Sequence, residues 1–308
     1  MRNLVTGGAG FIGCHLISEL IMKEEKVYCL DDFSSGKRLN LEKWSTNNNF
    51  QLIEHDITRP LDIDVDKIWH LACPASPYFY LKDPIKTSKT NYLGTFNALE
   101  IARKNNSPIL FASSSEVYGD PNIHPQNENY YGKVNSIGQR SCYSEGKRIA
   151  ESLCFDYLRQ HSVDVKIARI FNVYGAGMLK KDGRVLTNFI CNALKGNSLD
   201  IFGDGEQTRS FCHIKDLIKG LIKLMNSNLN GPINLGNPYE EISINKLAEI
   251  ISKKLNVNLK IKRLPPIEDE PRKRKPSIKS ANKLLNWNPK ISLEDGLDDT
   301  ITYLRKII

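Results

Sequence analysis

Short apolar runs alternate with longer amphipathic stretches through the first half of the chain. Leu4-Val5 leads into a glycine-rich segment, and helical periodicity follows over 11–24. Apolar runs at 27–30, 50–54, 67–72, 108–112 and 165–170 predict further strands. Between them, helical spacing covers 84–105, where Pro84 suits a first-turn position, and 141–160. Strands that alternate with helices in this way predict a doubly wound α/β fold, a parallel sheet covered on both faces. The second half is less regular and richer in Gly, Asn and Pro, with a strand-like 198–202 and helices near 213–225 and 244–255. It predicts a smaller mixed α/β substrate domain over the carboxyl edge of the sheet. The division is 1–171 and 172–308, with late segments free to return to the first domain.

Composition narrows the class. The 308 residues are 40% hydrophobic and 25% charged, which excludes wholesale disorder. No apolar run approaches the roughly 18–20 residues of a membrane span, and no signal-peptide pattern precedes the first strand. Seven cysteines, an odd number with no C-x-x-C pair, read as reduced thiols in a cytoplasmic protein without a zinc site or other metal centre. The net charge of +8 is modest, and no recognition helix or aromatic–basic interleaving points to nucleic acid. The densest basic run, Arg272-Lys273-Arg274-Lys275 between Pro271 and Pro276, reads as a solvated surface or an anion site.

Gly7, Gly10 and Gly13 form a G-x-x-G-x-x-G turn between the first strand and first helix. Glycines there let backbone N–H groups approach a pyrophosphate, and the helix N-terminus adds partial positive charge. Phe11 and Ile12 open that helix. Asp31 stands 21 residues after Gly10, at the end of the second strand, where a carboxylate binds ribose hydroxyls and repels a 2′-phosphate. The sheet is therefore expected to be Rossmann-type and to hold NAD, although Lys37 and Arg38 are able to neutralise a phosphate. Asp56, with Ile57, reads equally as a strand-end cap or as a partner for adenine.

Tyr143 and Lys147 form Y-x-x-x-K on one helix face. A neighbouring ammonium favours the phenolate, so Tyr143 is a candidate base. The fifth strand runs into Ser113-Ser114-Ser115-Glu116, at the carboxyl end where such sheets bind ligands.

Together these motifs resemble the extended short-chain dehydrogenase/reductase family of nucleotide-sugar enzymes, from Leu4 to about Leu304. Members take a hydride from sugar C4 onto NAD, act on the 4-keto sugar, and often return the hydride. Family dehydratases carry an Asp-Glu pair where this chain has Ser115-Glu116, and simple 4-epimerases usually lack the Glu. Ser114-Ser115-Glu116 is similar to the Thr-Ser-Glu of UDP-glucuronate decarboxylases. So are Pro74–Pro77 with Asp83–Thr87, Arg140–Arg148, Asp182–Val185 and Pro271–Pro276.

The resemblance implies decarboxylation of UDP-glucuronate to UDP-xylose through a 4-keto intermediate. It assigns Tyr143 as the C4 base and then acid, Lys147 to the nicotinamide ribose, and Ser114 to the sugar hydroxyl. Ser115 and Arg184 fall at the carboxylate, and Glu116 handles a proton. The alternative for Arg184 is a surface charge at a helix start. Gly7, Gly10, Phe11, Ile12, Gly13, Asp31, Asp32, Ser34, Ser35, Gly36, Asp56, Ile57, Leu71, Cys73 and Thr90 would line the NAD site. Arg209 and Arg274 would meet the diphosphate, a geometry that suits guanidinium forks. Asn172 and Asn188 would meet phosphate or uracil, and Lys89 the substrate, cofactor or subunit interface. A homodimer through helices around 90–104 and 145–160 is implied too. Cys73 stands where the family more often has Ser or Ala, and Ala176-Gly177 replaces Pro-Arg. Two other enzyme readings remain: a UDP-sugar 4-epimerase, and an oxidative decarboxylase that stops at the UDP-4-keto-pentose. A nucleotide-sensing protein without activity is disfavoured by the intact Ser114, Glu116, Tyr143 and Lys147.

Overall fold

A computed structural model describes residues 1–181 and 183–308. The first half runs β1 (Arg2–Thr6), α1 (Phe11–Met22), β2 (Lys26–Asp31), β3 (Phe50–Glu54), β4 (Lys67–His70), α2 (Pro77–Tyr80), α3 (Pro84–Lys89), α4 (Thr95–Asn105), β5 (Ile109–Ser114), α5 (Ser141–His161) and β6 (Val165–Ile170). The second half runs β7 (Val173–Tyr174), α6 (Val185–Leu194), β8 (Leu199–Phe202), β9 (Thr208–Ser210), β10 (Cys212–His213), α7 (Ile214–Met225), β11 (Ile233–Leu235), β12 (Glu241–Ser243), α8 (Ile244–Leu255), β13 (Ile261–Leu264), β14 (Lys273–Arg274), α9 (Lys279–Leu285) and α10 (Leu293–Ile307).

Seven parallel strands form one sheet in the order β11-β6-β5-β4-β1-β2-β3. The order reverses beside β1, and a ligand crevice is expected outside the carboxyl ends there. Both faces are covered, which is why the strands read as continuous apolar runs: all six residues of β5 are buried. Leu16 and Ile17 of α1 and Leu217 and Leu221 of α7 pack one face. Leu99 and Ala102 of α4 and Ala150 and Cys154 of α5 pack the other. A separate core gathers Phe189 and Ile190 of α6, Leu247 and Ile251 of α8, and Leu297 and Ile301 of α10. It lies around the β8–β13 pair, beside a small sheet ordered β12-β9-β14. Phe11 packs against this core and the sheet core alike. β11 returns to the large sheet beside β6.

The expected helix over 84–105 is interrupted. Between α3 and α4 one π turn, Thr90–Gly94, presses the buried Asn91 against α5. Asn91 Nδ2 donates to Thr87 O at 3.1 Å and to Cys142 O at 3.4 Å. Gly146 faces it, and a Cβ there would come 2.6 Å from Asn91 Nδ2. One inserted residue leaves the polar–apolar pattern nearly unchanged, so periodicity does not reveal it. The expected strand over 67–72 ends at His70, because the following residues leave the ladder for the cavity described below.

His70 is 1% exposed. Its Nδ1 shares a hydrogen bond with Thr6 Oγ1 at 2.8 Å, and its Nε2 lies 3.2 Å from Thr95 Oγ1. Burial, helped by the Lys147 charge, pulls its pKa to about 3. The unfolded imidazole titrates near 6.5, so its contribution to stability is whole above that pH and is lost as pH falls toward 3. The loss approaches ~1.4 kcal/mol per pH unit. Urea unfolding between pH 6.5 and 5.5 should therefore show a shallower pH slope in His70→Gln than in the wild type. Equal slopes would remove His70 as the cause.

Candidate active site

The crevice is one continuous cavity of about 550 Å³. Its first end is the glycine turn. Gly7 has φ +70°, and a Cβ there would stand 2.8 Å from the Ala72 backbone. A Cβ on Gly13 would stand 2.4 Å from Gly7 O. These glycines let β1, α1 and the β4 end approach closely enough to leave a cradle. Gly10 is the N-cap of α1, and the first-turn residues Phe11, Ile12 and Gly13 line the cavity with helix N–H groups.

Asp31 clamps this turn to β2. Its carboxylate accepts from Ala9 N and Phe33 N, both at 2.9 Å, and burial raises its pKa. A Cβ on Gly36 would sit 2.8 Å from Asp31 Oδ1, so glycine leaves that carboxylate its room. Asp32 accepts from Lys86 Nζ at 2.5 Å and from Ser34 N and Oγ. Ser34, Ser35, Asp56, Ile57, Leu71, Cys73 and Thr90 also line the cavity. Asp56 does so while accepting from Thr58 N at 2.9 Å, so it is both a cap and a wall. Arg38 pairs with Glu54 and lies over Phe33, and Lys37 is exposed; neither borders the cavity.

The second wall is the carboxyl end of β5 against the first turns of α5. Ser114 Oγ accepts from Glu116 N at 3.2 Å and caps the short turn Ser115–Tyr118. The Ser114 hydroxyl also bonds the Tyr143 phenol. Burial, then the Cys73 thiol and Glu116, push the Tyr143 pKa up, while Ser114 and Arg184 pull it down. Lys147 lies behind the ring, its Nζ 5.8 Å from the Tyr143 centroid and donating to Ala112 O at 2.9 Å. Burial lowers its pKa. Cys73 packs here too, with burial raising its thiol.

The third wall is cationic. Glu116 Oε1 accepts from Arg140 Nη2 at 2.5 Å and pairs with Arg274 Nη1 at 3.0 Å. Side-chain exposures of 11% for Glu116, 17% for Arg140 and 9% for Arg274 make this a buried triad. Desolvation alone would raise the carboxyl, yet the two guanidinium groups win and hold it at about 2. Arg209, on β9 next to β14, donates to Pro271 O at 2.9 Å and pairs with Glu270 at 2.6 Å. Its burial, with Arg274 close by, lowers its pKa to about 10. Asn172, Arg184 and Asn188 complete the wall.

The chain matches the NAD dependent epimerase/dehydratase family over residues 3–236. It is 52% identical to UDP-glucuronic acid decarboxylase 3 of Arabidopsis thaliana, over 96% of this chain and 87% of that protein. It is 50% identical to UDP-glucuronic acid decarboxylase 1 of Danio rerio, over 99% of this chain and 73% of that one. The chain belongs to the UDP-glucuronic acid decarboxylase family.

Among solved structures, it is similar to UDP-glucuronic acid 4-epimerase from Bacillus cereus, in complex with UDP-glucuronic acid and NAD. The TM-score is 0.90 at 29% identity, with both chains covered in full. For this decarboxylase-family chain, the cavity gathers the expected residues with two exceptions at its margin. Gly36 stands just behind the lining, against Asp31. Lys89 is exposed at the end of α3 and does not border the cavity, because Lys86 and Thr90 occupy the inward face of that helix and turn. The cavity therefore does not bring Lys89 together with the other expected substrate residues. Asp182, part of the Asp182–Val185 motif, lies outside the described residues. Among the lining residues without an expectation of their own from the motifs are Arg140, Glu270 and Tyr80, whose ring stacks on Tyr143 at 5.1 Å and 7°. Arg140 was within reach of sequence reasoning, since it stands three residues before Tyr143.

No helix among the described residues is long and apolar enough to cross a membrane.

Proposed function

We propose that the protein decarboxylates UDP-glucuronate to UDP-xylose with bound NAD. The observation that carries this reading is the shared cavity, with a glycine-and-Asp31 cradle at one end, Tyr143 in the middle and a cationic wall beyond it. The identity of 50–52% to decarboxylases supports it over 4-epimerisation.

NAD fits the cradle. The turn has no space for side chains at Gly7 and Gly13, helix N–H groups face the cavity, and Asp31 and Asp56 stand at the two strand ends that border it. Asp31 and the remote Lys37 and Arg38 favour NAD over a 2′-phosphorylated cofactor. When bound, NAD supplies the redox chemistry at sugar C4. The chain supplies the rest. Tyr143 Oη takes the C4 hydroxyl proton, with Ser114 holding that hydroxyl in line and Lys147 on the ribose side. A C4 ketone makes the C6 acid a β-keto acid. The C5–C6 bond then breaks, CO2 leaves, and the electron pair is held as the C4 enolate. Ser115 and Arg184 hold the carboxylate before it leaves. Glu116, through water, governs the proton that returns to C5, and Tyr143 gives its proton back to the C4 oxygen. Arg209 and Arg274 hold the diphosphate, with Asn172 and Asn188 beside them. Residues 1–171 hold the cofactor, and most of the sugar-nucleotide contacts come from 172–308.

We also propose a cytoplasmic homodimer. Exposed Ile85, Tyr92, Leu93, Phe96 and Ile149 on α3, α4, α5 and the intervening turn support the pairing. The free thiols Cys14, Cys29, Cys73, Cys142, Cys154 and Cys212 support the reducing compartment.

Incubation of the protein with UDP-glucuronate, without and then with added NAD, tests the reaction by mass spectrometry and NMR. The expected products are CO2 and UDP-xylose with no net NADH. A UDP-4-keto-pentose with stoichiometric NADH would replace this reading with the oxidative one. An intact carboxylate would overturn both.

A further inference from the structure

Arg140 is fixed where two parts of the site meet. It is the N-cap residue of α5, and its carbonyl accepts from Tyr143 N and Ser144 N, both at 3.0 Å. The turn that carries the tyrosine therefore also sets the base of the Arg140 side chain. Its guanidinium lies 5.9 Å from the Tyr80 ring centroid, and Tyr80 in turn stacks on Tyr143. The Arg140 contact to Glu116, at 2.5 Å, is shorter than that of Arg274, at 3.0 Å. Arg274 comes from β14, on the far side of the cavity wall, next to the Arg209 strand. Arg140 Nε and Arg274 Nη2 are both buried without a partner.

Two cations on one carboxylate leave the triad with a surplus positive charge. A diphosphate bound at Arg209 would recruit its neighbour Arg274, since a guanidinium fork gains more from phosphate oxygens than from a shared carboxylate oxygen. A buried Glu116 left with no cation would then become neutral. Resting on the function proposed above, we infer that Arg140 is the permanent counter-ion of Glu116. It is a positioning residue that keeps this carboxylate at the sugar site when Arg274 turns to the substrate's diphosphate.

Glu116 is faced by Arg140 and Tyr143 from α5, by Arg274 from β14, by Arg209 from β9 and by Tyr80 from α2. Of the three arginines, Arg209 is already paired with Glu270, so Arg140 alone is left to hold Glu116.

The test is calorimetry of UDP binding at pH 6 in two buffers of different ionisation enthalpy, which counts protons taken up. The wild type sets the zero of the count, since UDP's own terminal phosphate titrates at about pH 6 and its proton release is common to every variant. Arg140→Gln should bind UDP within about threefold of wild type, yet take up ~1 proton above that zero as Arg274 leaves Glu116. Arg140→Gln with Glu116→Gln should take up none. Arg140→Lys keeps the charge and should take up none, while Arg140→Met, which should again take up ~1 proton, carries the test if the Gln variant does not fold. On UDP-glucuronate, Arg140→Gln should lose ~100-fold in kcat with little change in KM. Unchanged proton uptake in Arg140→Gln, or uptake by Arg140→Lys, overturns the inference about Arg140. A wild type that does not bind UDP overturns the proposed function instead. A wild type that binds UDP but releases no CO2 from UDP-glucuronate overturns only the decarboxylase reading, since the proton count needs no turnover.

Discussion

Tyr143→Phe should lower kcat for CO2 release from UDP-glucuronate by ~10²–10⁴-fold, the range expected when a positioned general base is removed. The change deletes one oxygen and keeps the ring, so the stack on Tyr80 and the first turn of α5 stay in place. UDP binding should stay within a few-fold, because Arg209 and Arg274 lie on other strands. Among the described residues beside the ring, none is poised to replace the phenol, and burial keeps the Cys73 thiol protonated. Ser114 is an ordinary alcohol, and Lys147 is turned to the Ala112 carbonyl. Burial raises the phenol's pKa, so wild-type turnover should also rise with pH through the neutral and alkaline range. That limb should disappear from the residual activity of the Phe variant. A loss below tenfold, or an unchanged pH profile, would assign the proton transfer elsewhere.

What was legible in the chain was whatever local spacing controls. The glycine turn, Asp31 and the Tyr143–Lys147 pair each have their geometry set by one strand end or one helix face. The sequence therefore placed them in one cavity with few choices. The continuous apolar runs likewise gave a parallel sheet, because both of its faces are covered. Tertiary contacts were not legible. Arg140 belongs to a matched stretch, but only the meeting of the β5 end with α5 puts its guanidinium on Glu116. Arg209 was expected at a phosphate, yet nothing local shows that Glu270 already sits on it. Lys89 faces away from the cavity because a helix turn presents one inward face, which Lys86 and Thr90 take. In the second half, β9, β12 and β14 span three residues or fewer, too short for a period to register. α10 is a different case. Leu293, Leu297, Ile301 and Leu304 stand at helical spacing and pack into the smaller core, so its absence from the predicted elements reflects no physical obstacle.

Glu116→Ala should be the most destabilising single change in the site. It leaves Arg140 and Arg274 buried and facing each other, with Arg209 nearby adding repulsion. Removing one partner of a buried ion pair costs about 3–5 kcal/mol, because the remaining charge loses its compensation without regaining water. For a chain of this size that is a fall in Tm on the order of 5–10 °C. The sign of the cause can be checked by relieving the stranded positive charge in two ways. Arg140→Met in the Glu116→Ala background removes one of the stranded cations and should recover part of the Tm. UDP should recover more, since its diphosphate offers Arg274 a new partner with no Glu116 left to compete for it. The rise in Tm at a given UDP concentration should therefore exceed that of the wild type, as tighter binding to the folded state requires. Differential scanning fluorimetry of the wild type and both variants, with and without UDP, would measure these midpoints. A Tm within 1 °C of wild type for Glu116→Ala would mean that water reaches the two guanidinium groups. A UDP shift no larger than that of the wild type would mean that Arg274 does not leave Glu116 for the phosphates.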